Sequence, residues 1–171
     1  YDRLSKQLKE CPIPSIQWMM KEIEKEGDFY EFLFSIMMLD RVSRWKGRFN
    51  LIEDNDSAHE FRATAIAIFN GFVEKIKYGI DLDIETLAIK TLCHDVVEER
   101  TGDVLGPVKH SSPETKKAFE EYEKNAAKEM IQLLPSFLQE DFEEYMMNAK
   151  SNDYVGTMVD IADKLDALIK A

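Results

Sequence analysis

The chain reads as all-α, a compact bundle of roughly six or seven helices. Two observations predict this. Apolar residues recur at three- and four-residue spacings through most of the 171 residues, and sustained period-two alternation is missing. Helix-capping residues and Gly- or Pro-bearing loops punctuate the chain at the matching intervals. No internal repeat, low-complexity tract or long linker divides it, so one core of moderate size is expected.

Residues 1–27 are expected to form an N-terminal helical extension, with "CPIPSIQWMMKEIEKE" as a helical stretch, and 28–171 the main domain. "GDFYEFLFSIMMLDRVSRW" sets Phe29, Phe32, Leu33, Ile36, Met37 and Leu39 at helical spacing, which predicts a mostly buried helix ending near Arg41. A loop, "KGRFNLIEDND", follows. Asp56 or Ser57 can cap a long helix from about Ala58 to Tyr78 that closes at Gly79. Phe61, Ile68, Phe69 and Phe72 lie on one side of it and Ala63, Ile66 and Val73 on the other, so it is expected to be central.

Asp83 caps the next helix, "IETLAIKTLCHDVVEER", with Ala88, Ile89, Leu92, Cys93 and Val96 as its apolar stripe and His94, Asp95 and Glu98 opposite. "TGDVLGPVKHSSPE" is a loop, and Ser112 with Pro113 starts a helix running to about Leu134. Two more helices fit "SFLQEDFEEYMMNAK" and "NDYVGTMVDIADKLDALIKA".

With 33 acidic against 22 basic residues the formal charge is -11, which works against a broad contact with a nucleic-acid polymer. A small anionic substrate stays open if local cations or a metal receive it. Two cysteines, Cys11 and Cys93, are too few for a disulfide framework, so a reducing setting is the default. No apolar run has the length of a membrane helix and no leader pattern is found, so a cytoplasmic, membrane-free protein is expected. The start at Tyr1 and the helical stop at Ala171 read as ends trimmed from a longer chain.

The chemistry concentrates in few residues. His59 opens the long helix on the side of Ala63, Ile66 and Asn70, where small neighbours let another element approach. His94 and Asp95 are adjacent, about a hundred degrees apart around a helix, so both reach one point only at a helix edge. Glu98 stands one turn after His94 on its face. Asp160, Asp163 and Asp166 follow at three-residue steps in "VDIADKLDALIKA", and any one of them can complete a metal site. Taken singly, these residues have blander readings. His94, Asp95 and Glu98 are a solvated face, the three aspartates a water-facing stripe, His59 a buried histidine bonded to a backbone carbonyl, and Glu99 a surface residue.

As an ordered set, His59, His94-Asp95 and Asp163 resemble the H…HD…D signature of the HD-domain metal-dependent phosphohydrolases, and within them the YfbR-like 5′-deoxynucleotidases. The resemblance runs from about Phe29 to Lys170 and is carried by "SRW", His59, "HDVVE", "TGDVLGPVK" and "ADKLDALIK". It implies an HD-domain helical bundle over 28–171. It also implies one divalent ion (manganese, cobalt, zinc, nickel, iron or magnesium) held by His59, His94, Asp95 and Asp163. Glu98 is implied as general acid or base, Arg44 at the phosphate with a catalytic as well as a binding part, and Trp45 beside the sugar or base. Asp103 is implied at a sugar hydroxyl, with Asp95, Asp163 and the Gly106 loop also touching substrate.

The reaction implied is hydrolysis of (deoxy)nucleoside 5′-monophosphates by a metal-activated water. Dimers are common among such proteins, so a homodimer is a further expectation. The family's "DLPTP" type of loop reads "DVLGP" here, with Leu105 for a proline and Gly106 for a hydroxyl-bearing residue, so a side-chain contact to the substrate is lost. The residues flanking the first histidine also differ, Ala58 before it and Glu60 after.

Two other readings compete. "HDVVEERTGD" is similar to hydrolase domains that remove pyrophosphate from guanosine tetraphosphate, although Arg100 stands where a second acid would follow. The same signature also suits a non-catalytic nucleotide-sensing module with a structural metal.

Overall fold

The structure, a computed structural model, describes residues 2–48 and 52–170. Tyr1, residues 49–51 of the loop expected after Trp45, and Ala171 lie outside the described residues. Among the described residues there is no strand, and Ser43 and Asn55 form a lone antiparallel bridge.

The described residues form ten α-helices rather than six or seven: α1 (Asp2–Lys9), α2 (Pro14–Glu24), α3 (Asp28–Met38), α4 (Asp56–Lys77), α5 (Ile84–Cys93), α6 (Glu98–Thr101), α7 (Gly106–Lys109), α8 (Pro113–Gln132), α9 (Ser136–Met147) and α10 (Tyr154–Lys170). The excess has a local cause. α6 and α7 are four residues each, too short to show a periodicity, and α1 is a mostly polar helix of eight residues. A 3-10 turn, Leu39–Arg41, ends α3 at the expected place.

The expected caps mostly hold. Asp83 accepts from the Thr86 amide and Ser112 from the Thr115 amide. The long helix is the exception: Asn55, not Asp56 or Ser57, caps it by accepting from the Ala58 amide at 2.9 Å. Asp56 is thereby freed for another use. At the far end Gly79 takes φ +70°, and the amides of Tyr78 and Ile80 both donate to the Glu74 carbonyl, the reversal that favours glycine.

The α4 helix packs on α5 and α10 through one side only. Ala63 and Ala67 are fully buried, and Gly71 continues the row with the Leu87 side chain 3.1 Å from where a Cβ would stand. The opposite side, with Phe61, Phe69, Phe72 and Ile76, is exposed, so the helix is not enclosed all round as its composition suggested. The reason is that its small residues gather both neighbours on the same flank.

Two apolar clusters flank the resulting three-helix wedge. One joins Phe29, Phe32, Leu39, Cys93, Val96, Met130, Ile131, Leu134 and Met146, and the other Ala67, Leu82, Leu87, Val159 and Ala162. Leu87 rather than Leu92 is the fully buried leucine of α5; truncating it to alanine is expected to cost about 2–5 kcal/mol. The N-terminal segment is docked by Trp18, whose ring lies 5.1 Å from Phe29 and 5.7 Å from Phe137.

Candidate active site

The site forms where the N-terminus of α4, the C-terminal end of α5 and the middle of α10 meet. His59 sits in the first turn of α4, one turn before Ala63, and is fully buried. His94 follows the last residue of α5. The helix predicted to run through to Arg100 stops there, because its next rung is diverted. The Thr91 carbonyl is 2.7 Å from the His94 ring, and the Asp95 amide donates to Glu60 Oε1 at 2.9 Å. The chain turns at this edge, which is what lets adjacent His94 and Asp95 face one point.

Both imidazoles are oriented from behind. His94 Nδ1 also lies 3.1 Å from Glu60 Oε2; a carbonyl only accepts, so Nδ1 carries the proton. His59 Nδ1 lies 2.7 Å from Asp166 Oδ2. Arg62 in turn holds Asp166 and Asp54, with Nε to Asp166 Oδ1 at 2.6 Å and Nη2 to Asp54 Oδ2 at 2.9 Å. Such outer partners fix the tautomer and make the inner nitrogen a better donor.

The inner nitrogens converge. His59 Nε2 and His94 Nε2 are buried without a hydrogen-bond partner. His59 Nε2 lies 3.3 Å from Asp163 Oδ1 and 3.6 Å from Asp95 Oδ2, while His94 Nε2 lies 3.2 Å from Asp95 Oδ2. One atom from each of His59, His94, Asp95 and Asp163 falls within 4.8 Å of all the others. Two imidazole lone pairs and two carboxylates on one point is a donor set that fits a divalent ion. The solvated-face reading fails for His94, which is buried, and the water-facing stripe fails for Asp166, which is buried behind His59. Asp160 does stay outside, paired with Lys164.

The protein's own charges show how much negative potential is stored here. Burial opposes a charge on His59, but Asp163 and Asp95 outweigh it and raise the pKa to about 9. His94 is raised in the same way by Asp95 and Glu60. Burial also opposes the charge of Asp163, yet His59 and Lys150 hold its carboxyl well below the usual range.

Arg44 is held beside this centre. The Ser43–Asn55 bridge is reinforced by the Arg44 amide donating to the Asp54 carbonyl and the Asp56 amide to the Val42 carbonyl. The guanidinium donates to Asp56 Oδ1 at 3.2 Å and stands 3.5 Å from Asp95 Oδ2. Trp45, next in sequence, adopts φ +61°, a conformation that costs a bulky residue of order 1–3 kcal/mol and is often found at functional sites. Its indole N–H is buried without a partner.

A second acidic group, Asp56, Glu98 and Asp103, lies within 4.8 Å on the Arg44 side. Burial and the carboxylates of Asp95, Asp56 and Asp103 raise Glu98 to about 10, and burial raises Asp56 to about 6. Glu98 therefore carries a proton at neutral pH. The structure thus gathers His59, His94, Asp95, Asp163, Glu98, Arg44 and Asp103. Gly106 stands at the start of α7, and a Cβ there would meet nothing within 4 Å. Glu60, Arg62, Asp56 and Lys150 belong to the site and were not predicted for it, while Asp166, expected as an alternative to Asp163 in completing the metal site, stands behind His59 instead. An acid one residue after a candidate ligand was the only sequence signal for Glu60.

Comparison with known proteins converges on one family. The model of the YfbR-like 5′-deoxynucleotidases matches residues 31–171. A 5′-deoxynucleotidase of Photorhabdus laumondii is 28% identical over 139 residues, 81% of this chain and 71% of the relative. One of Vibrio parahaemolyticus is 28% identical over 146 residues, 85% of this chain and 74% of the relative. Among solved structures, an HD-domain phosphohydrolase of Listeria innocua superposes with a TM-score of 0.75 at 28% identity, covering 82% of this chain and 67% of that one. A conserved hypothetical protein of Pyrococcus furiosus gives 0.64 at 25% identity, covering 82% and 80%. No described helix is long and apolar enough to cross a membrane.

Proposed function

Because the chain belongs to the YfbR-like 5′-deoxynucleotidase family and is a hydrolase, we propose that it cleaves (deoxy)nucleoside 5′-monophosphates to nucleoside and phosphate as a metal-dependent phosphomonoesterase. One observation carries this reading: two buried imidazole nitrogens without hydrogen-bond partners converge with two carboxylates beside a guanidinium held by acids. His59, His94, Asp95 and Asp163 would hold one divalent ion, manganese, cobalt, zinc, nickel, iron or magnesium. When bound, such an ion supplies a water that is nucleophilic at neutral pH and draws charge from the phosphoryl oxygens.

The side chains account for the rest. Arg44, pinned by Asp56 and Asp95, receives phosphoryl oxygens with a guanidinium whose position is set before substrate arrives. Glu98, whose proton is favoured by burial and by the neighbouring Asp95, Asp56 and Asp103, gives that proton to the leaving 5′-oxygen. The P–O5′ bond then breaks to an alcohol while the oxygen of water ends on phosphorus, and the proton that the water sheds returns to the Glu98 carboxylate, which thus serves as general acid or base. Asp103 accepts from a sugar hydroxyl, and Trp45 walls the sugar or base. Gly106 offers no side chain, so the choice between 2′-deoxy and ribose sugars falls to Asp103 and Trp45. The chain's charge of -11 suits a small nucleotide better than a polymer.

The test is phosphate release from a panel of 2′-deoxy and ribonucleoside 5′-monophosphates and guanosine tetraphosphate, with metal-stripped protein reloaded with each ion in turn. Turnover of monophosphates is the expected result. Cleavage of guanosine tetraphosphate alone would favour the pyrophosphohydrolase reading, and bound nucleotide without turnover the sensing module.

A further inference from the structure

One cation near the four converging residues has no part in the scheme above. Lys150, in the loop between α9 and α10, places its Nζ 2.5 Å from Asp163 Oδ2 with its side chain 37% exposed. It thus touches both solvent and the acid group that faces His59.

The loop that carries it is fixed from two sides. Lys90, itself buried, donates to the Asn148 carbonyl at 3.0 Å, to Ser151 Oγ at 3.5 Å and to Glu144 Oε1 at 2.6 Å. On the other flank Gly156 lets α10 lie against the loop so closely that a Cβ there would stand 2.1 Å from the Ser151 carbonyl oxygen. Asp153 closes the turn, accepting from the Gly156 amide at 2.7 Å and from Ser151 Oγ at 2.9 Å. Neither tether involves Lys150, so the ammonium is delivered to Asp163 by a built loop.

Charge counting gives it a use. Arg44 is already engaged by Asp56 and Asp95, so with Arg44 as the lone side-chain cation a phosphate dianion would still face the acidic group of Asp56 and Asp103 largely uncompensated. Any ion held by Asp163 takes over the charge that now retains Lys150. A lysine, a compact charge on a flexible stem, can then turn to a new anion without moving its loop.

We propose that Lys150 is a second phosphate-binding residue, which takes a phosphoryl oxygen of the substrate at the Asp163 side of the site while Arg44 serves the Asp95 side. This rests on the reading of the site as a metal-dependent phosphomonoesterase.

The test is calorimetric titration of manganese-loaded protein with inorganic phosphate, alongside titration of the stripped protein with manganese. Wild type is compared with Lys150→Met, Lys150→Gln and Lys150→Arg. A charged hydrogen bond of this kind predicts phosphate affinity at least about tenfold weaker in the Met and Gln variants and largely recovered in Arg. Manganese affinity should equal or exceed that of wild type, because a competing ammonium is gone. Two neutral variants guard against one that folds badly, which melting curves would reveal.

Unchanged phosphate affinity in Met and Gln would overturn the proposal and leave Lys150 as a counter-ion of Asp163. A fall in manganese affinity would overturn it as well, by placing the effect in the metal site. Phosphate bound by wild type through Lys150 without turnover of any nucleoside monophosphate would sink the substrate reading alone. No phosphate binding by the loaded wild type would sink both.

Discussion

Asp166 Oδ2 lies 2.7 Å from His59 Nδ1, one turn along the helix whose Asp163 Oδ1 lies 3.3 Å from the other nitrogen of the same ring. A single helix thus grips one imidazole front and back, and the two carboxylates do different work. Replacing Asp163 removes a candidate ligand, whereas replacing Asp166 only loosens an orientation. Asp166→Asn is expected to weaken manganese binding about 10- to 100-fold, with Asp163→Asn losing more. Calorimetry on the two variants gives the order, and equal losses would contradict the distinction.

Glu60 accepts from the Asp95 amide with one oxygen and faces the His94 ring with the other. Glu60→Ala strands a buried amide, a cost of about 1–3 kcal/mol, and frees the turn that places Asp95. The expected result is a lower melting temperature together with weaker metal binding, read by calorimetry and a thermal scan. Loss of only one of the two would separate packing from orientation.

Protonation of the site should make the metal-stripped protein less stable toward alkaline pH. His59 is raised from an ordinary value of about 6.5 to about 9, and His94 is raised too. A group that binds its proton more tightly when folded contributes fully below its unfolded pKa and loses that contribution as pH rises through the folded one. Glu98, raised to about 10, acts in the same sense. Melting temperature with chelator present should therefore fall between pH 6.5 and 9. Saturating manganese, which needs unprotonated imidazoles, should offset the fall; a flat or rising profile with chelator would contradict the charge assignments.

Glu98 and Arg44 should separate kinetically. Glu98→Gln is expected to lower kcat a hundredfold or more with metal and substrate binding kept, on the scale of a general acid. Arg44→Ala is expected to raise KM as well, since it removes a phosphate contact. Measured steady-state constants decide between the roles.

The α10 helix lies so close to the Ser151 backbone that a Cβ at Gly156 would fall 2.1 Å from a carbonyl oxygen. Gly156→Ala must push the loop bearing Lys150 away from Asp163. Lower thermal stability and weaker phosphate binding by the manganese-loaded protein are expected together, and unchanged values for both would contradict the packing described.

The sequence displayed the fold class, the six long helices α3, α4, α5, α8, α9 and α10 with α5 drawn too long, and the residues that converge at the centre, because each is written either in a helical period or in a short ordered signature. His94-Asp95 was ambiguous on its own, since a dipeptide inside a helical pattern does not reveal that Glu60 will divert the helix there. That diversion depends on a residue 34 positions earlier. Lys150 was silent for the same reason: its meaning comes from Lys90 and Gly156, which fix its loop through tertiary contact. The exposed aromatic face of α4 was misread because composition counts apolar residues but does not say on which flank two neighbours will dock. Asp56 was misread as a cap because its neighbour Asn55 offers the same chemistry one residue earlier.

The most direct measurement is stepwise manganese titration of metal-stripped protein while phosphate release from a 2′-deoxynucleoside 5′-monophosphate is followed, with His94→Ala in parallel. The account predicts no release before manganese, a linear rise that breaks at one equivalent, and none at any manganese level in the variant. Full turnover in chelator, or turnover by His94→Ala equal to wild type, would contradict a single ion held by His59, His94, Asp95 and Asp163.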